Sequence, residues 1–490
     1  MKKFLSLVLA LVLALALAAP SYAAEPEAET VGVIVNGERI AFSGAAPELR
    51  SGQTMVPLKA LVESMGGTVA PISGVLVCTL GEKEVRIQPD SSSYYENGYT
   101  YVPVRALAEP LGYDVFWDSG ERAAVLIDRQ AIIDEIDRQF TVLNGALTQM
   151  QQTQDPEKNY QVQADYVISL DVLDEFSGER IQMDIALSAS ALTSADALEL
   201  EIHMDLSDLG SLFLKDMQEG GYLTNLQAAA VGRALADLTL EGRYDLASGD
   251  LYFHIPALAQ LNELTGLNAG SDDWYHLTMP ALSSLEELGS LWLDTLGIPA
   301  ALADAAQTGA LNSIGGVIYL YSVMLSETPS QIAGNAETAG QMLGQLFGDG
   351  AFRASGSAQV CHIGADELEA LLGQEGLLGG VFSALGLDLT VRQDGTLSVA
   401  FQMVVNEAYL DGEAASVEGS MEISAHKVTL KMDLQVGDMM TLRYDVSETI
   451  QETEKAPRTA PPDGAAVVEL GTFGSVFGIS GEPFADLTAA

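Results

Sequence analysis

The chain has 490 residues, 68 of them acidic against 23 basic, for a formal net charge of −45. A field of that sign repels nucleic acid and anionic membrane surfaces, which excludes partners of those classes. Only two cysteines are present, Cys78 and Cys361, far apart in strand-like contexts. That excludes a disulfide scaffold and predicts two free, buried thiols in a fold that rests on its core.

The N-terminus reads as a secretory leader over residues 1–23. Met1-Lys2-Lys3 is basic, Phe4 to Ala18 is apolar, and Ser21-Tyr22-Ala23 offers small residues before a cut near Ala24. No cysteine follows to carry a lipid, and no wall-sorting signal closes the chain. The later apolar stretch Ile314 to Leu325 has 12 residues, where roughly 20 are needed to span a bilayer. The expectation is an exported protein, secreted or loosely wall-associated, and not membrane-spanning. Without its leader the chain carries a net −47, of which −40 lies beyond residue 130. No Asp-x-Asp-x-Asp-Gly loop turns that charge into a calcium site.

Residues 54–69 and 100–115 are two copies of one segment. "TMVPLKALVESMGGTV" and "TYVPVRALAEPLGYDV" agree at eight of sixteen positions. Each predicts strand, helix, strand. Pro57 and Pro103 suit a first helical turn, where a missing N–H costs nothing. Leu58, Leu61, Val62 and Met65 form one apolar stripe; Val104, Leu107, Ala108 and Leu111 form the other. Gly66 and Gly112 stop the helices. Asn36-Gly37 and Asn97-Gly98 predict tight hairpins. One copy is too small to bury its helix face, whereas two packed together can.

The signature Val102, Pro103, Arg105, Leu107, Glu109, Leu111, Gly112, Trp117 and Asp118 resembles the copper amine oxidase N-terminal-like, or stalk, domain. That domain is common in exported Firmicutes proteins, and the resemblance covers residues 31–129. In the first copy Lys59 replaces the arginine and no Trp-Asp follows. The resemblance implies an accessory stalk, with the oxidase chemistry elsewhere. The family's catalytic domain builds a quinone from Asn-Tyr-Asp/Glu and holds copper with three histidines, two as His-x-His. Here Asn159-Tyr160 is followed by Gln161, and His203, His254, His276, His362 and His426 never fall in that spacing. Neither copper nor amine oxidation is implied.

Six aromatic residues cluster in this domain, and Tyr95, Tyr99 and Trp117 are the candidate binding residues, as rings that stack on sugars. The alternative is that Tyr101 and Trp117 alternate into a small core. Arg105 and Glu109, four apart, read as a solvated helix pair.

Residues 130–158 predict a helical connector that breaks at "QQTQDPEK". A large acidic domain follows over 159–470, then a tail over 471–490. Period-two runs at 181–188, 198–206 and 428–436 predict an antiparallel sheet wet on one face. Further strands are expected at 166–172, 238–245, 251–255, 274–279, 387–392, 397–405 and 442–446. Helical stretches intervene at 212–236, 282–296, 300–325, 336–347 and 365–385. None carries a nucleophile elbow, phosphate loop or metal motif, and the dispersed histidines read as surface residues. Strand-rich ends around a helical middle resemble, in pattern, the half-barrel of the lipoprotein-carrier superfamily.

The fold class expected is α+β: a small two-repeat β-α-β stalk-like domain, then a large antiparallel, curved sheet with inserted helices. The functional expectation is a secreted, non-catalytic binding or scaffolding protein of the cell envelope, with wall glycan or a surface protein as partner. Alternatives are carriage of a lipid or other hydrophobic ligand on the sheet, or an unrecognised extracellular hydrolase. No catalytic, cofactor or metal residue is assigned.

Overall fold

The computed structural model describes residues 30–88, 93–152, 155, 157–173, 178, 180–266, 268–279, 312–372, 376–409 and 414–472. The expected leader, the helix expected at 282–296, the start of that expected at 300–325 and nearly all of the expected tail lie outside them. The fold is α+β. Its contacts divide the chain into two units, residues 1–144 with 297–350, and 145–296 with 351–490.

In the first unit the two copies pair with each other. Strand Gln53–Pro57 runs antiparallel to Tyr99–Pro103, with Val56 opposite Val102. Helix Leu58–Ser64 and helix Val104–Ala108 follow these strands. Leu58, Leu61 and Val62 join Val104, Leu107, Ala108 and Leu111 in one buried cluster, while Met65 packs against it partly exposed. Both expected stripes are therefore the core. The repeat exists because each copy covers the other's apolar helix face. Gly66 and Gly112 adopt φ +83 and +86, the left-handed geometry of a helix stop. Pro110 tightens the second helix into a 3-10 turn over Glu109–Leu111.

Hairpins turn at Asn36-Gly37 and Asn97-Gly98 as the sequence predicts, both residues of each pair having positive φ. Ser51-Gly52 and Ser73-Gly74 make the same turn. Strand Gly32–Val35 adds parallel to Ala123–Asp128, which pairs antiparallel with Tyr113–Asp118.

The connector is two helices, Arg129–Asp137 and Thr141–Gln152. The division between units falls inside the second, not at the "QQTQDPEK" break. Helices Ile314–Leu325 and Ile332–Phe347, expected within the acidic domain, belong to the first unit. Ile314–Leu325 is apolar nearly all round because it is buried: Val317, Ile318, Tyr319 and Leu320 are at most 4% exposed. It lies so close to Arg129–Asp137 that a Cβ on Gly315 would sit 2.6 Å from the Ile133 carbonyl oxygen. Asp137 accepts from Gly315 N at 2.7 Å and from Asn144 Nδ2 at 2.8 Å, and Asn144 in turn accepts from Ile314 N. Among the described residues no helix is long and apolar enough to cross a membrane.

Among the described residues the strands of the second unit form one 14-stranded curved sheet. In spatial order it runs Arg353–Ser355, Ala358–Gly364, Phe382–Arg392, Leu397–Val405, Ala415–Ile423, Lys427–Val436, Met440–Thr453, Asn159–Leu173, Arg180–Thr193, Ala197–Asp205, Leu238–Asp245, Asp250–His254, Trp274–Thr278 and Val467–Thr472. Every pairing is antiparallel except the last. One register row crosses ten strands as Cys361, Leu389, Val399, Met421, Leu430, Val446, Tyr166, Leu187, Met204 and Leu238. The alternation seen in sequence is thus one continuous apolar face. Its first six members are buried, and Tyr166, Leu187, Met204 and Leu238 are half-buried.

The helix expected at 212–236 is two, Ser207–Glu219 and Asn225–Ala236, parted by Gly221 at φ +74. Thr224 and Gln227 form a capping box at the start of the second. The helix expected over 365–385 ends earlier, because residues from Phe382 onward are taken into the sheet.

Candidate functional site

The repeated domain carries a hollow of about 270 Å³ lined by Leu49, Gly52, Gln53, Thr54, Pro103, Val104, Arg105, Val115, Phe116, Trp117 and Ala124. Leu49 comes from strand Glu48–Arg50 and Ala124 from strand Ala123–Asp128. The Ser51-Gly52 turn feeds Gln53 and Thr54 into their strand. Pro103 passes the second repeat into its helix, placing Arg105 in the first turn. Tyr113–Asp118 supplies Trp117, whose cross-strand partner is the small Ala124. Tyr113 and Val115 alternate into the core at 7% and 9% exposure, whereas Trp117, next on that face, stays 41% exposed.

Arg105 makes the expected pair with Glu109 at 2.8 Å, both side chains more than half exposed. It also lines the hollow, which spacing alone did not indicate. A guanidinium carries five N–H donors in a planar fork, and one of Arg105's meets Glu109 Oε1.

Of the three residues expected to bind, only Trp117 is placed there. Tyr95 and Tyr99 belong to the hairpin Tyr94–Glu96 and Tyr99–Pro103, where Tyr95 lies opposite Thr100 and Tyr99 opposite Glu96. Strand alternation sends them to opposite faces. Tyr95 is 74% exposed. The organised aromatics there are Tyr94 and Tyr101, stacked at 4.9 Å, with Arg50 4.2 Å above the Tyr94 ring. Tyr94 donates to Glu48 Oε1 at 2.5 Å. Burial, then that carboxylate, pushes its hydroxyl up to about 12. Tyr101 is core, 8% exposed, and donates to the Ala46 carbonyl.

The aspartate of the Trp-Asp pair is structural. Asp118 is 1% exposed. Its Oδ1 accepts from Glu121 N at 2.9 Å and its Oδ2 from Ser330 N at 3.2 Å. Burial raises its pKa, but the hydrogen bonds from Glu121, Ser330 and Gly120 outweigh that and hold the carboxyl below its ordinary range.

In the second unit, the polar face opposite the apolar row carries two features. A groove of about 1200 Å³ is lined by His362, Asp366, Glu367, Asp388, Glu418, Lys431 and Asp433 among others. It gathers the carboxylates an acid–base hydrolase would need. Its histidine contact, His362 with Asp388 at 2.7 Å, is a solvated pair with both side chains more than half exposed.

The other feature is the segment 454–466, which crosses this face. Arg458 pairs with Glu199, Arg243 donates to the Ala460 carbonyl, and Trp274 N donates to Ala466 O. Arg243 is 3% exposed and lies 4.6 Å from the Trp274 ring. Expected at the surface, His254 and His276 have side chains only 13% exposed. His254 stacks on Trp274 and contacts Glu241. His276 stacks on Tyr252 between Asp250 at 3.0 Å and Glu469 at 2.6 Å. Among the described residues no group of three or more His, Cys, Asp or Glu is arranged to hold a metal. Cys78 and Cys361 are both buried, as expected.

A comparison with curated proteins found no match. Residues 34–100 and 83–189 match the family described as Copper amine oxidase N-terminal domain. The second match ends within strand Arg180–Thr193 of the sheet unit. The hollow lies within the matched residues, and Pro103, Arg105 and Trp117 of the signature all line it. The N-terminal part of this chain thus carries a copper amine oxidase N-terminal-like domain, a non-catalytic stalk domain formed from two paired copies of one strand–helix unit.

Proposed function

We propose that this is a secreted, non-catalytic binding or scaffolding protein of the cell envelope, whose stalk-like domain contacts wall glycan or another surface component. One observation carries the reading: three signature residues, Pro103, Arg105 and Trp117, line one hollow of the repeated domain, and the Trp117 indole stays exposed. A ring held at a rim by a folded core is a preformed contact, so little ordering is needed on binding. The leader-like N-terminus and the acidic surface support export. The test is fractionation of the native host. The reading expects the protein in the medium and wall fractions, in its cut form from about Ala24. Recovery of an uncut protein from the cytoplasm refutes it.

A second reading rests on the sheet. The half-buried end of the apolar row, Tyr166, Leu187, Met204 and Leu238, is the kind of surface on which a hydrophobic ligand gains from leaving water. Organic extraction of the protein purified from its host, followed by mass spectrometry, decides it. A stoichiometric lipid supports carriage, and a clean extract from folded protein removes it.

A further inference from the structure

We propose that the Trp117 hollow is a subsite for one neutral, N-acetylated pyranose ring of a glycan, with the indole as its stacking platform. The inference rests on the envelope-binding reading and gives it a ligand class.

Four observations point to that occupant. The size is the first: ligand clefts run from about 300 to 1,000 Å³ for drug-sized molecules, and a hollow of about 270 Å³ admits a single ring rather than an extended chain. The second is the platform. Trp117 is 41% exposed at the end of a row whose other members, Tyr113 and Val115, are core, and it lines the hollow. The C–H groups on one side of a pyranose are apolar and weakly positive, and they suit the negative face of an aromatic ring.

The third observation is the division of the lining. Leu49, Pro103, Val104, Val115 and Ala124 offer apolar surface to an acetyl methyl group, while Arg105, Gln53 and Thr54 offer donors and acceptors to hydroxyl and amide groups. The fourth is charge. The stalk-like region itself is acidic, in a chain of net −45. That field disfavours phosphate-rich wall polymers and leaves the neutral glycan as the compatible wall component.

The test uses the full chain. Tri-N-acetylchitotriose is titrated by calorimetry, and saturation-transfer NMR identifies which ring protons lie against the protein. Co-sedimentation with isolated cell walls is measured in parallel. Wild type is compared with Trp117→Ala, Trp117→Phe, Arg105→Gln and, as control, Tyr95→Ala. The inference predicts saturable binding of the trisaccharide, with saturation strongest on the protons of one ring. It predicts a loss of at least tenfold in Trp117→Ala, partial retention in Trp117→Phe, and no change in Tyr95→Ala.

Wall binding that survives Trp117→Ala unchanged overturns the subsite while leaving the envelope reading in place. Wild-type protein that binds neither walls nor trisaccharide overturns both. Preference for a polyanionic wall polymer over the trisaccharide overturns the ligand class. Should Trp117→Ala fail to fold, the wild-type NMR contact map and the Trp117→Phe titration decide the matter alone.

Discussion

Replacing Asp118 by alanine is expected to destabilise the stalk-like unit by about 2–4 kcal/mol. The carboxylate is 1% exposed and accepts from two backbone donors, Glu121 N and Ser330 N, that come from segments far apart in sequence. A hydrogen bond to a charged group contributes about 1.5–3 kcal/mol, and a buried donor left without its acceptor costs about 1–3 kcal/mol. Some of that total is offset because the carboxylate itself no longer has to be taken out of water. Asp118→Asn keeps the shape and one acceptor, so about half the loss is expected.

Because two units share the chain, the cleanest assay is local: amide exchange followed on peptides covering 119–123 and 328–332. A loss of 2 kcal/mol corresponds to roughly 30-fold faster exchange there. The effect also has a sign in pH. The folded carboxyl lies below its ordinary range. Its contribution is therefore complete above the unfolded value of about 3.9 and is lost as pH falls through the folded one. The gap between wild type and Asp118→Ala is expected to narrow in acid. Equal protection at pH 7, or a gap unchanged down to pH 2, refutes the reasoning.

Leu107→Ala removes a side chain that is 0% exposed at the junction of the two repeats and is expected to cost about 2–5 kcal/mol, read from the urea midpoint of the same unit. Thr224→Ala breaks the capping box and is expected to cost about 1 kcal/mol, visible as faster exchange in residues 225–228. Around His276, burial lowers the pKa, but the Glu469 and Asp250 carboxylates outweigh it and raise the imidazole above its ordinary value. Its stabilising contribution is whole below about pH 6.5 and fades as pH rises through the raised folded value. Proteolysis within 467–472 is expected to quicken over that interval and to lose its pH dependence in His276→Gln. Cys78 and Cys361 are each 0% exposed, and burial pushes both thiols up. Neither is expected to react with a thiol reagent until the protein unfolds, and fast labelling of native protein contradicts the placement.

The parts of this fold legible in the sequence are those whose cause is local. Helix stripes at 58–65 and 104–111, the stops at Gly66 and Gly112, and the Asn-Gly hairpins each depend on neighbours within a turn. The long strands were legible because one wet face forces period-two alternation, and their register then lines up a row from Cys361 to Leu238. What escaped was set by distant partners. Helices 314–325 and 332–347 belong to the first unit, and the contacts that tie the first of them there, through Asp137 and Asn144, have no sequence signal. Ser51-Gly52 turns like Asn-Gly although serine seldom adopts positive φ. His254 and His276 read as surface residues, yet cross-strand stacking on Trp274 and Tyr252 covers them. At the hollow, the sequence left Trp117 open between a stacking ring and a core residue, and the fold leaves it 41% exposed. Arg105 was not legible there, because pairing with Glu109 already accounts for it.

The most direct measurement is co-sedimentation of the full chain with isolated walls, wild type against Trp117→Ala, at physiological salt. The account predicts that wild type pellets with the walls, that Trp117→Ala stays largely in the supernatant, and that their circular dichroism spectra agree. Wild-type protein that remains in the supernatant across the whole range of wall concentrations contradicts it.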